Sequence, residues 1–166
     1  DEKENPYYQF IVSSGLLEEI KAWDTGLIGL SIISPSQVLF SFTLGYLLKK
    51  SALRVPVVIG GQWVSLFRNE LAKRDDFSEF FDYAIFFEGE TPLLELIRAL
   101  AHKDELSTVP NLIYQSNGRF SFSSRHSTER INDLPAPDFE CLPLERYNSF
   151  SKGEVALTFE SSRECY

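Results

Sequence analysis

The chain has 166 residues, of which 43% are hydrophobic and 14% aromatic, and this is enough apolar material for one domain with a real core. It carries 24 acidic against 16 basic side chains, a net charge of -8, and this excess of negative charge argues against binding to nucleic-acid phosphates. No apolar run approaches the roughly 20 residues needed to cross a bilayer, so we expect no contact with membranes and a cytoplasmic location.

The chain opens with a predicted helix over residues 8–23, whose apolar side chains recur at roughly helical spacing. The continuous apolar run from Gly26 to Ile33 then predicts a strand buried on both faces, as parallel strands of α/β proteins are. Ser34 and Pro35 provide a cap and a first-turn proline for a helix that extends to Lys50. These segments form a first strand-to-helix unit.

The same pattern occurs twice more. A short β-branched run over residues 55–59 ends in Gly60 and Gly61 and is followed by a predicted helix from Ser65 to Arg74. A third strand over residues 83–87 leads into a helix with Thr91 as its predicted N-cap. The apolar face predicted for this third helix comprises Leu93, Leu94, Ile97 and Leu100.

Three tandem strand-helix units imply right-handed crossovers and a parallel sheet. We therefore predict an α/β fold of the doubly wound, flavodoxin-like or Rossmann-like type. Because such sheets have about five strands, we expect one or two of them to lie in sequence upstream of this chain.

The pattern changes after His102. Residues 112–115 and 119–122 flank an Asn-Gly pair and predict a β-hairpin, and proline-rich segments at 134–139 and 142–144 predict an extended linker. A further strand over residues 154–159 is typical of the start of another domain. We expect an α/β domain over residues 1–105, a hairpin and linker over 106–150, and the first part of a truncated domain over 151–166.

Ligands of open parallel sheets bind beyond the carboxyl ends of the strands, where helix N-termini and unpaired amides converge. The residues at these positions, which we predict to bind a cofactor, are Ser31, Ser34, Gly60, Gly61, Gln62, Glu88, Gly89, Glu90 and Thr91. Some of these residues have a structural alternative, since the glycine pair also suits a turn, the serines suit helix caps, and Glu90 suits the helix dipole.

Other functional classes have less support in the sequence. There is no Gly-x-Gly-x-x-Gly after a strand and no Gly-x-x-x-x-Gly-Lys-Ser/Thr, so the dinucleotide and P-loop readings lose their main evidence. Glu88 and Glu90 are two apart in an extended segment and point in opposite directions, which disfavours an acid-base pair. His102 and His126 are expected to be solvated, and the two cysteines are too few for a disulfide framework.

Several segments in a fixed order carry a family resemblance. They are Gly29-Leu-Ser-Ile, Val57-Val-Ile-Gly-Gly-Gln-Trp, Asp82-Tyr-Ala-Ile-Phe-Phe-Glu-Gly-Glu-Thr-Pro-Leu-Leu-Glu-Leu, Val109-Pro-Asn-Leu-Ile-Tyr, Leu134-Pro-Ala-Pro-Asp-Phe, Arg146-Tyr and Thr158-Phe-Glu-Ser-Ser-Arg-Glu-Cys-Tyr. This order resembles the cobalamin (B12)-binding half of class B radical S-adenosylmethionine (SAM) enzymes. That group includes relatives of anaerobic Mg-protoporphyrin IX monomethyl ester cyclase, peptide-maturing proteins and many methyltransferases.

The resemblance implies that the strand-end loops line the nucleotide tail of cobalamin. It also implies that Cys165 is the first of three thiolates on a [4Fe–4S] cluster that binds SAM in the full-length protein, within a barrel of the same chain that begins here and is truncated. The alternative for Cys165 is an incidental thiol. The chain alone is expected to bind cofactor rather than catalyse.

The chain departs from the family pattern at two places that bear on the site. Phe87 replaces the first glycine of a Gly-Glu-Gly-Glu segment, and a bulky ring there takes up space in the ligand crevice. No Asp-x-His-x-x-Gly segment is present to provide a histidine for cobalt. A second hypothesis is therefore a degenerate, cobalamin-free module that docks substrate or a partner.

Overall fold

The computed structural model describes residues 4–140 and 142–144. The chain divides into two compact units, Asp1–Thr128 and a second unit that begins at Glu129. The predicted strand over 154–159 and Cys165 lie outside the described residues. Within the described residues, none of the helices is both long enough and apolar enough to span a bilayer.

The first unit is built on one mixed sheet of five strands, ordered β1-β2-β3-β4-β5. The strands are β1 (Ile28–Ser31), β2 (Val57–Gly60), β3 (Tyr83–Ile85), β4 (Leu112–Ser116) and β5 (Arg119–Phe122). The first three strands run parallel to one another. Strand β4 runs antiparallel to β3, and β5 runs antiparallel to β4. The predicted α/β class, the parallel units and the hairpin are confirmed. The hairpin extends the same sheet, because β4 pairs with β3.

Five helices connect or precede these strands. They are α1 (Pro6–Ser13), α2 (Leu16–Ala22), α3 (Val38–Lys50), α4 (Gln62–Leu71) and α5 (Glu90–His102). The single helix predicted over residues 8–23 is wrong, because Gly15 adopts a left-handed conformation with φ of 75° and separates α1 from α2. The start at Pro35 is confirmed as a 3₁₀ turn, Pro35–Gln37, that leads into α3.

The helices cover the two faces of the sheet unequally. Helices α1 to α4 pack on the face that presents Val57 and Ile59, and this side holds the larger core cluster. Helix α5 packs on the opposite face against Val58 and Ile85. Successive side chains of a strand point to opposite faces, so these two clusters are the two layers of a doubly wound arrangement.

The prediction that strand β1 is buried on both faces is wrong. Ile28 and Leu30 are half-buried, whereas Gly29 and Ser31 are exposed. The reason is that β1 pairs only with β2 within the described sheet, and no described helix covers the side of Gly29 and Ser31.

The buried face of α5 also differs from its prediction. Pro92, Leu96 and Ala99 are the buried residues of this helix, while Leu93, Leu94 and Ile97 of the predicted face are exposed. The fourth predicted residue, Leu100, is half-buried and packs against the core. The predicted N-cap, Thr91, lies inside the helix, because α5 begins at Glu90 with Gly89 as its cap. The predicted set and the observed set of side chains both have helical spacing. Packing of α5 against Val58 and Ile85 buries the set at positions 92, 96 and 99.

Asp82, the residue before β3, connects the amino ends of β2 and β3 to α3 through its carboxylate. Its Oδ1 accepts a hydrogen bond from Lys49 Nζ at 2.6 Å, and its Oδ2 accepts one from the Val57 backbone N–H at 2.9 Å. The Asp82 and Lys49 side chains are each 28% exposed, so solvent screens this pair only in part.

We expect Asp82→Ala to lower the free energy of unfolding by about 1–3 kcal/mol, because the Val57 N–H loses a charged acceptor. Urea denaturation measures the change. Glu18→Ala is the matched control, since it removes an exposed i,i+3 ion pair with Lys21 and should cost less than about 0.5 kcal/mol. Equal effects of the two substitutions would contradict the structural role of Asp82.

Candidate ligand cleft at the carboxyl ends of the parallel strands

A cleft of about 500 Å³ opens on the α5 side of the sheet, at the carboxyl ends of β1, β2 and β3. Of the nine predicted site residues, five line it: Ser31, Gly60, Gly61, Gly89 and Glu90. The parallel direction of the three strands brings these residues together although they are up to 59 positions apart in the chain (90 − 31).

The other four predicted residues lie beside the cleft rather than in its wall. Ser34 forms a hydrogen bond of 2.6 Å between its Oγ and that of Ser36, and its backbone N–H donates to the Gln37 side chain. Gln62 and Thr91 are early residues of α4 and α5. Glu88 does not share the cleft with Glu90. Their binding roles stay predictions.

Glycines form an open floor. A Cβ atom built on Gly29 would meet nothing closer than Val58 Cγ1 at 3.9 Å, and one on Gly60 nothing closer than the Ile85 carbonyl oxygen at 3.6 Å. A Cβ on Gly89 would have no neighbour within 4 Å. The space above these backbones is therefore available to a ligand. Sequence reasoning missed Gly29, although a glycine inside an apolar strand signals a close approach of another group.

Gly61 has a different role. Its φ is 101°, and a Cβ there would lie 2.5 Å from the Ile32 carbonyl oxygen. That oxygen accepts a hydrogen bond from the Trp63 N–H at 3.1 Å, while the Ile32 N–H donates to Gly60. The turn after β2 thus packs directly on the end of β1, and only glycine fits at position 61.

Ser65, in the first turns of α4, connects the loops after β2 and β3. Its Oγ donates to the Gly61 carbonyl oxygen at 3.1 Å and accepts from the Phe87 N–H at 2.7 Å. No strand-end pattern marked this residue, because it lies inside a helix. Phe87 itself lines the cleft with φ of 62°, a left-handed conformation that is rare for a bulky residue.

The wall is mainly apolar. Among the lining residues of the described chain, Glu90 is the one ionisable group, and its Oε2 accepts a hydrogen bond from the Gly89 N–H at 3.1 Å. At the start of β3, burial and then the charge of Asp82 raise the pKa of Tyr83, which is not a lining residue of the cleft. His102 and His126 are exposed, and the described residues contain no cluster of three metal-ligating side chains. This arrangement suits binding of a planar or apolar group more than acid-base chemistry.

Comparisons with known proteins give one curated relative and similar solved structures, and no family model matches. The relative is the uncharacterized methyltransferase PH0819 of Pyrococcus horikoshii, which is 28% identical over 137 residues. The match covers 82% of this chain but 29% of the relative, so the chain spans less than a third of that protein's length.

Two of the similar solved structures are of TsrM, a radical S-adenosylmethionine methyltransferase from Kitasatospora setae. One, with tryptophan substrate and a SAM analog bound, is 22% identical with a TM-score of 0.48. The other, with cobalamin and a [4Fe-4S] cluster bound, is 20% identical with the same TM-score. Each match covers 64% of this chain and 21% of the TsrM chain.

Proposed function

We propose that this chain is the cobalamin-binding module of a larger radical SAM enzyme of the methyltransferase type, and that the cleft holds the nucleotide tail of the cofactor. The observation that carries the proposal is the glycine floor of the cleft at the carboxyl ends of three parallel strands. Similarity to a methyltransferase over most of this chain supports the choice of enzyme class.

The residues present fit such a group. A volume of about 500 Å³ lies within the usual range for small-molecule and cofactor sites. Gly29 and Gly60 leave a shallow trough in which a Cβ would take the place of the ligand, and Val58 and Ile85 add apolar walls. A flat aromatic base with an attached sugar matches this combination of open backbone and apolar contact.

The chain's own groups have distinct tasks in this proposal. Ser31 offers a hydroxyl at the exposed edge of the cleft, where it can hydrogen-bond a sugar or phosphate oxygen. Glu90 presents a carboxylate acceptor at the start of α5. Cobalamin, when bound, supplies a cobalt centre for carbon transfer, and the protein contributes binding, orientation and exclusion of water.

The iron–sulfur cluster and SAM belong to the rest of the proposed enzyme. Cys165, the predicted first thiolate, lies outside the described residues, and its ligand role rests on the resemblance alone. Oxidative cyclase chemistry remains an alternative within the same superfamily. A cobalamin-free docking module is the second candidate function, and the observation that favours it is the aromatic ring of Phe87 in the wall of the cleft.

Titration with hydroxocobalamin tests the proposal. We expect the visible absorbance of the corrinoid to change on binding. We also expect the corrinoid to elute with the 166-residue chain on gel filtration. Elution of all corrinoid in the small-molecule volume, from a chain with a cooperative unfolding transition, would instead favour the cobalamin-free module.

A further inference from the structure

Phe87 has an unfavourable backbone conformation although its side chain is not buried. Its backbone is left-handed, with φ of 62°, and the residue is 52% exposed, whereas the neighbouring Phe86 is buried. A large aromatic residue in this conformation persists only where its surroundings hold it there, and such positions cluster at ligand-binding sites.

Three contacts hold the residue. Its N–H donates to Ser65 Oγ at 2.7 Å, which fixes the backbone. The guanidinium carbon of Arg68 lies over the ring, 4.9 Å from its centroid, and the Phe86 ring packs edge-on at 5.2 Å. Ser65 and Arg68 are one turn apart on α4, so a single helix orients both the backbone and the ring of Phe87.

The ring also borders the cleft without filling it. Phe87 is a lining residue, yet a volume of about 500 Å³ remains beside it above the glycine floor. Gly29, Gly60 and Gly89 line the same cleft and have no side chains that could fill the space beside the ring. An exposed, oriented aromatic ring beside a flat and open trough is the arrangement with which proteins stack planar bases.

We propose that Phe87 is a stacking platform that selects a planar aromatic base in the cleft, with Ser65 and Arg68 as its positioning residues. This inference rests on the proposed function, because the base in question is the benzimidazole of the cobalamin tail. Phe87 then contributes to affinity and does not block the site.

The test compares hydroxocobalamin binding to the wild-type chain, Phe87→Ala and Phe87→Trp. Truncation should weaken binding by about tenfold, the size of effect that loss of one base–aromatic stack produces, and tryptophan should keep the affinity within about twofold. Proton NMR of the bound cofactor should show upfield-shifted benzimidazole resonances that move back in Phe87→Ala. Phe10→Ala is the control, because it truncates a phenylalanine of α1 that is 58% exposed and does not line the cleft.

Each alternative outcome has a distinct meaning. Unchanged or tighter binding by Phe87→Ala overturns the platform and leaves the cobalamin proposal intact, and tighter binding identifies the ring as a plug. Weaker binding with unmoved benzimidazole resonances also overturns it, since the ring would then act only through the fold. Failure of the folded wild-type chain to bind hydroxocobalamin overturns both the platform and the proposed function.

Discussion

Replacing Gly29 with valine is expected to weaken hydroxocobalamin binding by roughly one to two orders of magnitude, because adding bulk to an already filled site costs about 1–3 kcal/mol. Gly29 lies in β1 on the side that α5 leaves uncovered, and its missing side chain forms part of the cleft floor. A valine there would occupy the trough in which we place the cofactor tail.

The same substitution should leave the fold intact. The nearest atom to a Cβ at position 29 is Val58 Cγ1 at 3.9 Å, an ordinary van der Waals contact. Valine also suits an extended strand better than glycine does, so the free energy of unfolding should stay equal or rise by up to about 1 kcal/mol. Visible absorbance titration and urea denaturation, carried out on the same preparation, measure the two effects.

Gly26→Val is the matched control for this experiment. Gly26 is exposed two residues before β1, has no atom within 4 Å of a built Cβ, and does not line the cleft. It should bind hydroxocobalamin as the wild-type chain does. Normal binding by Gly29→Val would place the cofactor elsewhere on the molecule.

The second large effect concerns Gly61, where alanine should lower the free energy of unfolding by about 2–4 kcal/mol through backbone strain and a steric clash. The φ of 101° is unfavourable for any residue with a Cβ, and the new methyl group would lie 2.5 Å from the Ile32 carbonyl oxygen. The end of β1 or the turn after β2 must move to relieve this contact.

Gly118→Ala separates the two causes. Gly118 also has a positive φ, of 78°, but a Cβ there would meet nothing within 4 Å. Its replacement should therefore cost only the conformational part, about 1–2 kcal/mol. If urea denaturation gives the same loss for both variants, the close packing of the turn on β1 is not what requires glycine at position 61.

Local patterns predicted the elements of this fold well where one residue type decides the backbone. The Asn117–Gly118 pair predicted the hairpin, and both residues have positive φ values, of 51° and 78°, as the tight hairpin turn demands. Pro35 marked the entry to α3, and the Gly60–Gly61 pair marked the turn at the end of β2, in which position 61 accepts only glycine. In these cases the physical cause lies within a few residues of the signal.

The site was predictable in outline for a related reason. Parallel strands all end at the same edge of a sheet, so a residue that follows any of them is a candidate for a shared cleft. Five of the nine residues chosen on this basis line it. Ser65 was missed because it lies in a helix and reaches the site through a hydrogen bond to a loop that is distant in sequence.

The amino-acid sequence by itself determined the strand-helix alternation, the hairpin and the positions of the obligatory glycines, since these depend on side-chain periodicity and local backbone sterics. Only the tertiary structure decided which side chains of α5 are buried, that β1 lies at the edge of the described sheet with one side that no described helix covers, and that Phe87 lies beside the cleft with Arg68 over its ring. Those features depend on which elements meet across long stretches of chain, and two stripes with the same helical spacing remain equivalent until a neighbouring strand buries one of them.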